Sequence, residues 1–179
     1  MRAHSLGGKI VIHLVCGPIG AGKTTVAHDL AEQHGAIRFS EDEWLSKLFI
    51  PDAPPDLIHA PVEQIATWAS EKYLRCREQI WLLCEQLLSQ GIPVVLDGGA
   101  STKVQREALQ EKARQQDYQC QLYYVVADSE IRKSRVFDRN IAQGKTYSIN
   151  VTPALFDLME TFFEPLTDEE LGSAKLVRT

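Results

Sequence analysis

Short apolar runs alternate with helical stripes along this chain. Ile10–Cys16 is apolar except at His13 and stops at Gly17, which predicts a buried strand. Thr24–His34 carries Val26, Ala27, Leu30 and Ala31 at helical spacing and ends at Gly35. Ala36–Ser40 reads as a second strand. Pro51, Pro54, Pro55 and Pro61 then mark an irregular stretch. From Val62 to Gln90 the positions Val62, Ile65, Ala69, Tyr73, Cys76, Ile80, Leu83, Leu87 and Leu88 line one helical face, in one helix or two. Pro93–Gly98 predicts a third strand, Lys103–Gln116 a polar-rich helix, Gln121–Ala127 a fourth strand and Glu130–Asn140 another helix. Thr152 and Pro153 form an N-cap and first-turn pair for a helix through Phe163, and Lys175–Arg178 reads as a last edge strand.

Strands that alternate with helices predict an α/β fold with a mostly parallel sheet. Ligands of such sheets bind outside the carboxyl ends of the strands. Gly17 onward, Glu41 with Asp42, Asp97 and Asp128 all fall at such ends.

Gly17-Pro18-Ile19-Gly20-Ala21-Gly22-Lys23-Thr24 matches the phosphate-loop pattern G-x-x-x-x-G-K-[ST], between a strand and a helix. Its glycines let successive N–H groups aim at an anion, and the helix adds the positive end of its dipole. Lys23 is expected at the β- and γ-phosphates of a nucleoside triphosphate, most simply ATP, and the Thr24 hydroxyl at magnesium.

Three further groups bear on the chemistry. A carboxylate within Ser40-Glu41-Asp42-Glu43-Trp44 has the position to take a proton from a substrate hydroxyl. The same residues also read as a helix start, with Ser40 as N-cap and Glu43 completing a capping box. Asp97 has two expected roles besides that of a turn residue: holding Thr24 or magnesium-bound water, or contacting the acceptor hydroxyl. Arg132, Arg135 and Arg139 share roughly one face of a helix, where they would clamp phosphates or form a solvated basic face. Arg106 is expected to face the site or the solvent. Trp44, Phe49 and Trp68 would floor an acceptor pocket or join the core. His13 reads as structural, His28 and His34 as solvent-facing, and none of the five histidines as a metal ligand.

Composition narrows the field. The 179 residues fit one domain, and the net charge of −5 gives no support to general nucleic-acid binding. Cys16, Cys76, Cys84 and Cys120 lack C-x-x-C spacing, so they read as small apolar residues of a reducing compartment rather than a zinc site. The apolar stretches are too short to span a bilayer, and the first eight residues lack the apolar core of a signal peptide. A cytoplasmic protein without a membrane partner is the expectation.

The chain resembles the small P-loop kinase-like proteins described as AAA-type ATPases or kinases, relatives of chloramphenicol phosphotransferase, zeta toxins and polynucleotide kinases. The resemblance rests on Cys16–Thr25, Phe39–Leu45 (Phe-Ser-Glu-Asp-Glu-Trp-Leu), Val94–Asp97, then Arg132, Arg135, Arg139 and Asn140, and finally Phe163–Pro165 with Glu169 and Glu170. It implies a kinase-type P-loop fold with a central five-stranded parallel sheet, formed by residues 1–179 as one domain. It further implies nucleotide contacts from Gly17 through Thr25 and from Arg132, and magnesium at Thr24 and Asp97. Lys23, Asp42 and one of Arg135 and Arg139 are the implied catalytic residues, with Asp42 rather than Glu41 or Glu43 as general base. A lid is implied over about 129–152, and an acceptor-side helical segment over about 44–90. The implied reaction is transfer of a phosphoryl group from ATP, with Mg2+, to a hydroxyl of a small molecule. Polynucleotide kinases carry arginine where this chain has Leu45, which disfavours a nucleic-acid end as acceptor. Two alternatives stay open: a polynucleotide or RNA 5′-hydroxyl kinase, and a nucleotide-binding switch protein with weak ATPase activity and a protein partner.

Overall fold

The structure is a computed structural model that describes residues 9–142 and 151–179. Five strands, β1 (Val11–Cys16), β2 (Ile37–Ser40), β3 (Val94–Asp97), β4 (Gln119–Val126) and β5 (Lys175–Arg178), form one sheet in the order β2-β3-β1-β4-β5. Every pairing is parallel, so all carboxyl ends lie along one edge. Between them run α1 (Lys23–His34), α2 (Glu41–Leu48), α3 (Val62–Ser89), α4 (Lys103–Gln115), α5 (Ser129–Ala142), α6 (Pro153–Phe162) and α7 (Asp168–Ser173). The expected five-stranded α/β fold is thus the observed one. Part of the expected lid, residues 143–150, lies outside the described residues, as do residues 1–8.

Alternation along β1 sets the two layers. Ile12, Leu14 and Cys16 face a core made with Cys76, Ile80, Trp81, Cys84 and Leu88 of α3 and Leu109 and Ala113 of α4. Val15 faces the other way, onto Ala27 and Leu30 of α1. A third cluster joins Ile19 and Val136 to Val151 and Phe156, packing α5 and α6 beside the loop after β1.

The stripe from Val62 to Gln90 proves to be one helix of 28 residues, about 42 Å long. The proline-rich stretch holds two 3-10 turns, Ile50–Asp52 and Leu57–His59. α7 was not expected, although its capping box of Thr167 and Glu170 is written in the sequence. No helix among the described residues is long and apolar enough to cross a membrane.

His13 is structural, as expected, and has a consequence for acid stability. It is buried in β1, with Nδ1 3.1 Å from the Tyr123 hydroxyl. Its ring stacks on exposed His34 at 4.3 Å. Burial, then the charges of His34 and Lys175, lower its pKa from 6.5 to about 4. The unfolded chain therefore takes up a proton below pH 6.5 that the folded chain refuses until about pH 4. Stability falls as pH drops through that window, by up to about 3 kcal/mol. Urea midpoints between pH 7 and pH 4 should lose part of this slope in His13→Gln; an unchanged slope would assign the acid sensitivity elsewhere.

Candidate active site

The loop after β1 is held tightly by its neighbours. A Cβ on Gly17, at φ 150°, would stand 2.2 Å from the Val125 carbonyl oxygen, and one on Gly20, at φ 74°, 2.5 Å from that of Arg132. Only glycine permits these approaches. The Lys23 ammonium folds back over the loop and donates to the Pro18 carbonyl at 3.0 Å. No side chain caps α1 at Gly22, and no acid occupies its first turn. An N-terminus without a protein anion, crossed by a lysine, suits the phosphates of a nucleotide. Burial lowers the Lys23 pKa, opposed by the charges of Asp42 and Asp97.

Strand register explains why these acids meet the loop. Asp97 pairs with Val15 across β1 and with Ser40 across β2, so the ends of the three strands are level. The Thr24 hydroxyl lies near enough to Asp97 to help lower its pKa, and the two form a hard-oxygen pair of the kind magnesium takes directly or through water. Burial raises the Asp97 pKa, and the charges of Arg38 and Lys23 hold it down. Arg38 Nη1 donates to Asp97 at 2.8 Å, while Nη2 reaches Glu43.

The three acids that open α2 have separate surroundings. Glu41 is buried and takes two hydrogen bonds from Arg77, at 2.9 and 3.0 Å. Its carboxyl lies against Gly99, where a Cβ would come within 2.3 Å of Oε1. Glu43 is drawn to Arg38. The capping box expected of Ser40 and Glu43 is therefore only half formed: Ser40 accepts from the Glu43 amide at 3.3 Å, but the Glu43 carboxylate bonds the arginine. Asp42 is exposed, and its charge acts on Lys23 and Asp97. Its Oδ1 accepts from the Tyr73 hydroxyl at 2.6 Å.

The arginines of α5 do not act as one face. Arg132 is buried, and its donors go to the Ala127 carbonyl, the Ile19 carbonyl and both oxygens of Glu160. It reaches the phosphate loop through Ile19. Arg135 is exposed and donates to the Thr179 hydroxyl at 2.8 Å, and that hydroxyl donates to the Ala21 carbonyl at 2.9 Å. Arg139, two turns after Arg132, is the α5 residue whose charge acts on Lys23. Asn140 bonds both the N–H and the carbonyl of Val151, which ties the end of α5 to the residue before Thr152, the cap of α6.

Arg106 faces neither site nor solvent; it is fully buried and ion-paired with Glu170. Trp44 meets Phe39 edge-on and, with Phe49, packs on the main core, whereas Trp68 lies under the Lys72 ammonium. A cavity of about 10 Å³ bounded by Glu41, Arg77 and Asp97 admits no more than a water molecule. Sequence reasoning missed Arg38, Arg77 and Tyr73 as residues of this site. Only Tyr73 left a signal, as a polar tip within an otherwise apolar stripe.

A parallel sheet in this strand order, carrying this loop at its first strand, defines a kinase-like P-loop NTPase. The AAA domain family designated AAA_33 matches residues 12–166, and the chain belongs to that family. Among solved structures, a putative kinase from Chloroflexus aurantiacus aligns with TM-score 0.67 and 19% identity, over 97% of this chain and 86% of that one. A sugar kinase from Janibacter sp. aligns with TM-score 0.60 and 15% identity, over 96% and 86%. Kti12 of Chaetomium thermophilum, solved with ADP-AlF3, aligns with TM-score 0.62 and 14% identity, over 94% and 88%. At these identities the likeness is one of fold. A comparison with curated proteins finds no match.

Proposed function

We propose that this protein is an ATP- and magnesium-dependent kinase that phosphorylates a hydroxyl of a small molecule. One observation carries the reading: of the three acids at the head of α2, Glu41 and Glu43 are bound to Arg77 and Arg38, while Asp42 is exposed, held by the Tyr73 hydroxyl and near enough to Lys23 for its charge to act there. A carboxylate opposite the phosphate-binding lysine is placed to take a proton from a hydroxyl acceptor.

In this reading the backbone of Gly17, Pro18, Ile19, Gly20, Ala21, Gly22, Lys23, Thr24 and Thr25 cradles the phosphates. Thr24 and Asp97 would hold magnesium, which would supply positive charge against the phosphates. Lys23 steadies the γ-phosphoryl group. The acceptor oxygen forms its bond to the γ-phosphorus as the bond to the β–γ bridging oxygen breaks; ADP leaves, and the hydroxyl proton passes to Asp42. Arg139 supports the transferring group. Arg135 helps from the loop's outer side through Thr179, and Arg132 positions the loop through Ile19. Leu45 is buried in the core, so α2 offers no arginine at the place where polynucleotide kinases carry theirs, which favours a small acceptor. The four free cysteines fit a reducing cytoplasm.

The test is transfer of label from γ-labelled ATP across sugars, sugar acids, nucleosides, antibiotics and 5′-hydroxyl oligonucleotides. Label should appear on a small hydroxyl compound; labelling of oligonucleotides alone would overturn the acceptor class. Binding has its own check. ATP with magnesium at a hundred times Kd should stabilise the protein by about 2.7 kcal/mol, on the order of 5–10 °C in Tm. Lys23→Ala should abolish that shift, and an unchanged shift would sink the role of the loop.

A further inference from the structure

We propose that Tyr73 is a positioning residue for Asp42, holding Oδ1 so that Oδ2 is presented to the acceptor beside Lys23. The inference rests on Asp42 as the base. The hydrogen bond measures 2.6 Å, in the range of a charge-assisted O–H···O⁻ bond. Tyr73 stands three residues before Cys76 and seven before Ile80, both buried in the core, so α3 is a fixed mount for the phenol. One turn further on, Arg77 grips Glu41. Two consecutive acids of α2 are thus held by two side chains four residues apart on α3, and the pair sets how α2 meets the phosphate loop. An aspartate carboxylate turns freely about χ2 unless something holds it, and a carboxylate rotated away from the acceptor is a poor base. Burial and the neighbouring Asp42 charge push the phenol's pKa well above its ordinary value, so it stays a donor over the working pH range. The groups that act electrostatically with Asp42 are Lys23 of α1, Asp97 of β3, Glu41 of its own helix and Tyr73 of α3.

The experiment is single-turnover hydrolysis of γ-labelled ATP with magnesium, water serving as acceptor, in the full chain. Four proteins are compared: wild type, Tyr73→Phe, Asp42→Asn and the double variant. Tyr73→Phe should slow hydrolysis about 10- to 100-fold with unchanged ATP affinity. The double variant should be no slower than Asp42→Asn alone. If Asp42→Asn is slow but Tyr73→Phe runs at the wild-type rate, the positioning role is wrong and the base stands. Multiplying effects in the double variant, or weakened ATP binding in Tyr73→Phe, would place Tyr73's action elsewhere and overturn the proposal. A wild-type rate in Asp42→Asn would remove the base, and the positioning role with it.

Discussion

Asparagine at position 42 should leave ATP binding intact and slow phosphoryl transfer by about 10²- to 10⁴-fold, the usual worth of a positioned base. The substitution keeps the shape of the side chain. The amide oxygen can still accept from Tyr73, whose hydroxyl lies 2.6 Å from Asp42 Oδ1, so α2 and α3 should stay in register. What is lost is the oxygen that takes a proton. One of the two carboxylates acting on the Lys23 ammonium also becomes neutral, with Asp97 remaining. Nucleotide affinity should move little, because Lys23, Thr24 and the loop glycines are unaltered. Initial rates of labelled transfer, set beside the ATP-dependent Tm shift, separate the two effects. A rate within a few-fold of wild type would show that Asp42 is not the base.

How legible this site is in the sequence depends on the range of the interactions that build it. The phosphate loop is local: an apolar run, glycines at fixed offsets and a helix, all within Ile10–His34. The sheet was legible for a similar reason, since each buried parallel strand is a short apolar run bounded by turn residues. That an acid after β2 stands where chemistry is done was readable from its place at a strand end, and the resemblance singled out Asp42. What the residues alone did not show is how the three acids differ in surroundings, because that depends on Arg77, 36 residues from Glu41 on another helix, and on Arg38, whose side chain turns to both Asp97 and Glu43. Tyr73 was hidden by its own periodicity, which marks a core position whether or not its hydroxyl has work to do. The arginines of α5 were read as one group because offsets of three and four look equivalent on a helix. Long-range partners separate them. Glu160 and Ile19 take Arg132, and Thr179, 44 residues away, takes Arg135. Arg106 shares the offsets of Leu109 and Ala113, three and seven residues on, and so stood on the core stripe of α4. Its charge concealed this, because a buried arginine needs a partner that α4 does not contain.

That partner makes Arg106→Ala the largest expected loss of stability. Arg106 is fully buried, and Nε and Nη2 bond both carboxyl oxygens of Glu170, at 2.6 and 3.0 Å. Its other donor bonds go to the carbonyls of Ala100, Ser101, Glu164 and Pro165, at 3.0 to 3.4 Å. One guanidinium therefore ties α4 to the turn that follows Asp97 and to the segment leading into α7. Removing it leaves the Glu170 carboxylate buried without its cation and four carbonyls short of a donor. The expected cost is about 3–5 kcal/mol, read as a fall in the urea midpoint. Acid titration gives a second signature. Hydrogen bonds from Arg106 hold the Glu170 pKa at about 2, below the ordinary 4.5. The ionised carboxylate's contribution is complete above pH 4.5 and fades as pH falls toward 2, worth about 3 kcal/mol, of which hydrogen bonds from Thr167 supply a part and Arg106 the largest share. Arg106→Ala should lose that part of the acid sensitivity. Pairing Arg106→Met with Glu170→Leu should recover much of the lost stability, because an apolar pair carries no stranded charge. A loss under 1 kcal/mol in Arg106→Ala would mean that water reaches Glu170 once the arginine is gone. If the full loss is seen, and the double variant recovers stability while keeping ATP-dependent stabilisation, the ion pair serves the fold and takes no part in nucleotide binding.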